Sequence, residues 1–418
     1  MQRRKSLFLF SWMSILWAVV SAEDWPQFRG PGAQGHSSEK NLPTVWGPDK
    51  NIAWKREIPG EGWSSPIVQG GKVYLTTALT PEEGGKKSKA LHALALEAES
   101  GKILWNVEVF APDSGRAWRK HTKNSHASPT PVTDGKRLWV HFGTTGTACL
   151  DLDGKVIWRN RELEYSPVHG GGGSPALVDD VLVMSCDGAK DPFVVALDRG
   201  TGKIRWKTPR SESDGKLFSF STPLVFAIKG QKQVFVPGSN WASSYDPKTG
   251  KELWRVWHGG YSVVPRPVMG HGNIYFSSSF DSASMMAVRP NGKGDVSKTH
   301  VTWKVKRGAP HSPSPLLVGG ELYFVSDRGI ASCVDAKTGD QHWQKRIGGG
   351  QSASPFYADG KIYFQSEGGQ GVVIRASKEF EIISRNDLQE RSLASCTPSG
   401  GAIYIRTEKR LWCVREGK

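Results

Sequence analysis

The chain has 418 residues, a formal net charge of +15, 48 Gly, 25 Pro and 17 Trp, but only 5 Cys. The mature chain holds no run of about 20 apolar residues, which excludes a polytopic helical membrane protein. Aromatic residues at 10% argue against disorder, and 5 Cys are too few to staple a chain of this length. Abundant Gly, Pro and Trp favour many short strands joined by tight turns.

The N-terminus reads as a secretory signal. Arg3, Arg4 and Lys5 precede an apolar stretch over 6–20, and Val20-Ser21-Ala22 supplies small residues for cleavage after Ala22. Residues 1–22 carry three positive charges and no negative ones, so their removal leaves 396 residues and a charge of +12. No Cys follows the apolar stretch to accept a lipid, and the expected location is periplasmic or secreted. The expected division is 1–22 signal peptide, 23–50 extended N-terminal segment and 51–418 repeat domain.

A repeat fills that last region. Gly-Lys or Gly-Asp turns lead into a Trp at Gly101-Lys102-Ile103-Leu104-Trp105, Gly154 to Trp158, Gly202 to Trp206, Gly250 to Trp254 and Gly339 to Trp343, with Trp54 and Trp303 continuing the series. Successive Trp residues lie 40 to 53 positions apart. A Pro precedes each inner apolar run: Ser65-Pro66, Ser128-Pro129, Ser174-Pro175, Thr222-Pro223, Arg266-Pro267, Ser314-Pro315, Ser354-Pro355 and Thr397-Pro398. Between these markers lie a Val/Ile-Tyr-Phe run and an Ala-Leu-Asp run. Each unit therefore reads as four strands, A to D, which is the period of a propeller blade. The chain ends on a strand C at 411–415, and its first Trp strand, Asn51 to Lys55, is a strand D without partners. Joining them closes one all-β, eight-bladed β-propeller of four-stranded blades and removes two open sheet edges.

Two segments break the regularity: a long polar B–C loop over 78–90 and a long D–A connection over 109–126. The unit around Phe380 to Ser384 lacks its Trp, so a weaker blade contact is expected there. A residue recurring once per blade is packing, so Trp105, Trp158, Trp206, Trp254, Trp303 and Trp343 are assigned to structure. Cys149, Cys333 and Cys413 occupy a strand C position that other blades fill with Ala or Ser, and read as small buried residues. The pairing of Cys186 and Cys396 stays open. No nucleophile elbow, zinc motif or phosphate loop occurs. Gly170 to Gly173 reads as a tight lead into an inner strand. Lys residues sit in hairpin turns, and with export this argues against nucleic acid as a partner.

Function is expected where the repeat is broken. In a propeller the A strands line the axis, and the D–A and B–C loops form one rim. The D–A segments carry Glu61, Arg116, Trp118, Asn124 and Tyr165, and a candidate ligand-binding set of Trp63, His121, His126, His169, Tyr261, Arg266, His311, Gln351 and Arg391. Together they predict a polar, aromatic, mostly cationic funnel. The four scattered His have no metal-ligand spacing, and neither a metal site nor a catalytic residue is assigned.

The run Ala196 to Trp206, with its Ala-Leu-Asp-x-x-Thr-Gly-Lys-x-x-Trp pattern, resembles the repeat of pyrroloquinoline-quinone-type propellers. The opening Asp24-Trp25-Pro26-Gln27-Phe28-Arg29-Gly30-Pro31 is similar to the mature N-terminus of exported members of that group. One branch, the alcohol and sugar dehydrogenases, implies the quinone with calcium on the axis. The other, similar to the propeller subunit of the outer-membrane β-barrel assembly machinery, implies a scaffold that binds envelope proteins. The adjacent Cys pair of many dehydrogenases is missing here, and Gly238-Ser239-Asn240-Trp241 offers one candidate for a calcium-binding Asn. The expectation is therefore a monomeric binding or scaffold propeller of the cell envelope, with its ligand face on the D–A rim. The alternatives are a quinone-dependent dehydrogenase and a polysaccharide-binding propeller taking a glycan or small anionic ligand.

Overall fold

The computed structural model describes residues 23–80, 89–113, 120–210, 215–281 and 283–417. The expected signal peptide, Arg116 and Trp118, and the part of the polar B–C loop over 81–88 lie outside the described residues. The rest forms eight antiparallel blades around one axis, each with strand order A-B-C-D. Blade 1 runs from Ile67–Gln69 to Ile103–Phe110, and blade 7 from Phe356–Ala358 to Ile382–Asp387. In blade 8 the strand Ile52–Glu57 pairs antiparallel with Arg410–Arg415, so the start of the ring closes its end.

The sequence marks explain the packing. In each Trp-bearing blade the indole stands opposite the small strand C residue: Trp105 opposite Ala95, Trp158 opposite Cys149, Trp206 opposite Ala196, Trp343 opposite Cys333. The small side chain leaves room for an aromatic ring from strand B to meet the indole, as Tyr74 meets Trp105 at 6.0 Å and Tyr323 meets Trp343 at 6.0 Å. The indole then covers the C–D turn of the following blade. Gly202 has φ +75°, and a Cβ there would lie 2.5 Å from the Trp158 ring, so the turn requires Gly for both reasons. Indole N–H groups donate across the same seams, Trp54 to Ala98 O (3.0 Å), Trp105 to Leu152 O (3.1 Å) and Trp303 to Ala336 O (3.0 Å). All five Cys are free thiols. Burial lifts the Cys149, Cys333 and Cys413 thiols to about 12, as expected of space-filling residues.

Two extra strands complete weak places. Gly294–Asp295, in the long C–D connection of blade 5, runs parallel to strand D of blade 4, and there Trp254 donates instead to Gln233 Oε1 at 2.9 Å. His36–Ser37 runs parallel to the inner strand of blade 7. In blade 7, Ser384 takes the Trp position opposite Val373. The missing ring is made good from outside the blade. Trp46, only 5% exposed, packs in one cluster with Val373, Leu411 and Trp412.

Residues 24–50 form a strap across the A–B end of the axis. Trp25 bridges to Val68 of blade 1, and Thr133 of blade 2 donates to Pro26 O at 2.9 Å. Arg29 donates to the carbonyls of Pro315 (2.7 Å) and Pro355 (3.2 Å), in blades 6 and 7. Met269 of blade 5 donates to Gln34 Oε1 at 3.0 Å, and Gly400 and Gly401 of blade 8 donate to the Glu39 carboxylate at 2.6 and 2.9 Å. The strap thus ties six blades together across one end of the axis.

Candidate functional site: the axial funnel

The inner ends of the A strands carry a belt of hydroxyls. The amide of Ser65 donates to Thr130 Oγ1 (3.0 Å), that of Thr130 to Ser174 Oγ (2.9 Å), and that of Ser174 to Thr222 Oγ1 (2.9 Å). The sequence Arg266, Ser314, Ser354, Ser395 and Ser65 continues it, with each amide donating to the next hydroxyl at 2.9 to 3.1 Å. Blade 5 breaks the belt, because Arg266 has no hydroxyl to offer Thr222. The belt gives the Ser/Thr-Pro marker its physical meaning. The Pro cannot donate, and the residue before it supplies both an amide and an acceptor. It also moves two positions by two residues: the belt residue is Thr130, before Pro131, rather than Ser128 in blade 2, and in blade 8 it is Ser395, which Cys396 and not a Pro follows, rather than Thr397.

Above the belt opens a cavity of about 810 Å³, with Phe28 of the strap in its floor. Five of its eight sectors carry a continuous arc of rings. His121 meets His169 at 5.4 Å, His169 meets Phe218 at 5.1 Å, and Phe218 meets Tyr261 at 5.5 Å. Tyr261 then meets Phe280 at 6.1 Å, and Phe280 meets His311 at 4.6 Å. Burial and the charge of His121 both press the His169 pKa down, so the neutral ring is favoured. The charged groups of the lining are engaged by partners. Asp327 accepts from the His311 amide (2.7 Å), the Ser312 amide (3.1 Å) and Ser312 Oγ (2.6 Å). Lys123 pairs with Glu367 at 2.7 Å, and Lys216 donates to Tyr261 Oη at 2.6 Å.

Of the residues singled out in the sequence, Trp63, His121, Asn124, His169, Tyr261 and His311 converge on this cavity. Arg391 stands outside the lining, its guanidinium 5.5 Å over the Trp63 ring, and donates to Thr122 O at 2.9 Å. His126 lies off the lining and acts on Glu61, which also faces Lys120 at 3.3 Å. Gln351 is buried, and its amide donates to Asp327 O at 3.0 Å. Tyr165 packs edge-on against Phe193 in the core. Arg266 lies buried beside the strap, donating to Phe28 O at 2.7 Å. The glycine run before Ser174 serves packing, since a Cβ on Gly171 would lie 2.9 Å from Gly143 Cα. The charged groups lining the funnel are Lys123, Lys216 and Asp327, so it is more aromatic and less cationic than the sequence suggested. Phe218, Phe220 and Phe280 escaped sequence reasoning, although Phe218 and Phe220 sit just before Thr222-Pro223 at positions outside the repeat. Phe28 comes from the strap, and nothing local marks it.

The family model described as outer membrane protein assembly factor BamB matches residues 106–299 and 294–380. Methanol dehydrogenase subunit 1 of Methylobacterium organophilum is 30% identical over 37% of this chain and 27% of its own length. Quinohemoprotein alcohol dehydrogenase ADH IIB of Pseudomonas putida is 25% identical over 57% of this chain and 34% of its own. The chain thus spans well under two thirds of these curated relatives. Among solved structures, BamB from Moraxella catarrhalis superimposes with a TM-score of 0.61 at 12% identity, covering 88% of this chain and 97% of that one, a likeness of fold.

Proposed function

This chain belongs to the PQQ-type repeat family described as outer membrane protein assembly factor BamB, and from that premise we propose that it is an exported binding or scaffold propeller of the cell envelope, with the D–A funnel as its ligand face. The observation that carries this reading is the funnel itself: a concave, aromatic cavity on one end of a ring, with Phe28 of the strap that crosses the other end in its lining. Such a concave apolar site with few polar groups is built to hold a ligand or a partner's side chains. Release of the signal peptide near Ala22 would leave residues 23–50 as the strap and 51–418 as the ring.

The dehydrogenase reading asks for a quinone and calcium on the axis. Calcium takes six to eight oxygen ligands, most of them carboxylates and carbonyls. Asp327 is the carboxylate lining the funnel, and both its oxygens are already engaged by Ser312 and the His311 amide. Among the described residues no three His, Cys, Asp or Glu side chains converge as metal ligands. Asn240 sits in the tight B–C turn of blade 4 with φ 62°, outside the lining. The donor set does not fit calcium, and no redox step is assigned to the funnel. The arc of rings above a hydroxyl belt supports a second reading, a glycan as ligand, because rings cover the apolar faces of a sugar while hydroxyls meet its edges.

The mature protein and a Phe218→Ala/Tyr261→Ala variant, immobilised in parallel on envelope extract, test the proposal. The expected result is a partner or glycan retained by the wild type and lost by the variant, with unchanged circular dichroism. Equal retention by both proteins would overturn it, as would stoichiometric quinone binding with alcohol- or sugar-dependent dye reduction.

A further inference from the structure

Beneath the hydroxyl belt lie two buried guanidiniums. Arg29 and Arg266 are 3% and 2% exposed, and the side-chain hydrogen bonds of both to described residues go to backbone carbonyls. They flank one peptide unit, since Arg266 Nη1 donates to the carbonyl of Phe28, the residue before Arg29. Burial, joined at Arg29 by the charge of Arg266, presses both down to about 9, and both remain charged at neutral pH. Burying two like charges together is unfavourable unless something compensates them.

Their donors are used unequally. Arg29 spends its Nη groups on three carbonyls, Pro315, Pro355 and Gln34. The strap is shaped around it: Arg29 is held at φ 68°, and a Cβ on Gly35 would lie 2.5 Å from its Nη2. Arg266 is different. Its one side-chain hydrogen bond to a described residue is the one from Nη1 to Phe28, so Nη2 is unused, and its buried Nε, like that of Arg29, has no partner. Nη1 is thus committed, while the Nε–Nη2 edge is unused. That edge is the planar fork that takes a carboxylate or an oxyanion with two parallel hydrogen bonds. Arg266 also stands where seven other blades place a hydroxyl, so its chain starts at the belt that lines the axis.

We propose that the Nε–Nη2 edge of Arg266 seats a carboxylate or tetrahedral oxyanion on the propeller axis, at the gap in the hydroxyl belt. Arg29 adds a second positive charge, with both of its Nη groups held by carbonyls. The seat goes beyond the funnel reading, and either can fail without the other, because the aromatic arc does not include Arg266.

Calorimetric titration of the mature protein with acetate and with selenate, at constant ionic strength, tests the seat. Saturable binding of either, weakened about tenfold or more in Arg266→Gln, is expected, since a charged hydrogen bond is being removed. Acetate binding points to the carboxylate of an organic ligand, and selenate binding alone to a free oxyanion; both support the seat. Should Arg266→Gln fail to fold, anomalous diffraction from wild-type crystals soaked in selenate decides, with a selenium peak expected within hydrogen-bond reach of Arg266 Nε. No saturable binding, equal binding by the variant, or selenium bound only elsewhere would overturn the proposal.

Discussion

Trp54 stands opposite Cys413 in the pair that closes the ring, with residues from near the two ends of the chain sharing one blade. The Trp54 indole covers Gly101 of blade 1, meets Tyr404 at 6.0 Å and donates to Ala98 O at 3.0 Å. One side chain therefore holds blade 8 together and joins it to blade 1. Trp54→Ala is expected to lower stability by about 3 kcal/mol, from lost packing plus an unmet carbonyl. Urea unfolding checks this. A loss below about 1 kcal/mol would mean that the backbone pairing alone closes the ring.

Trp46 gives a sharper case, because it substitutes for an absent repeat residue. It packs over Gly371, where a Cβ would lie 2.3 Å from its ring, while its amide donates to Asn386 Oδ1 at 2.8 Å. Its indole nitrogen is buried without a partner. Trp46→Ala should lose about 3 kcal/mol, whereas Trp46→Phe keeps most of the ring, removes the unmet donor and should lose less than about 1.5 kcal/mol. Equal losses in the two variants would show that the ring's packing is not what Trp46 contributes.

Blade number, strand order and closure were all readable, because the Trp, the turn Gly and the small strand C residue recur at fixed offsets. Each obeys a contact repeated in every seam, so periodicity alone reveals it. Trp46 and Phe28 were not readable. They act once each, from a strap with no period, on partners more than 300 residues away for Trp46 and across the axis for Phe28. The funnel was half legible: His121, His169, Tyr261 and His311 stood out as unusual residues at loop positions, but no spacing in the chain says that their rings touch. Gln351 looked equally functional in sequence and is a buried structural residue.

The belt makes a third prediction. Ser174 Oγ accepts the Thr130 amide, so Ser174→Ala leaves that buried donor unmet at a loss of about 1–3 kcal/mol. Ser174→Thr retains the acceptor and should lose much less. Comparable unfolding midpoints for Ser174→Ala and the wild type would show that the belt is geometry without energetic weight.

The fourth prediction concerns acid. His141 and His258 are buried, and burial holds their pKa values near 4 and 3, about 4 for His141 and about 3 for His258. At His258 the tautomer is fixed, because Nδ1 accepts the Gly260 amide (3.1 Å) and Nε2 donates to Gly238 O (3.0 Å). A proton on Nδ1 would break the first bond. The unfolded chain takes up these two protons near pH 6.5, so each His stabilises the fold above that pH, and its contribution is lost as pH falls toward the folded value. Asp187 runs the other way. Burial raises its pKa to about 6 despite Arg210 at 3.1 Å, so its contribution is lost as pH rises from about 4 to about 6. Two protons against one leave a net uptake of one from these three groups on unfolding between about pH 4 and 6, and they should add about 1.4 kcal/mol of stability per pH unit there; His36 and His169, also lowered, act in the same direction. His258→Gln removes one of the two and should flatten the slope over that range. Urea midpoints at several pH values measure both slopes, and an unchanged slope in the variant would refute the assignment.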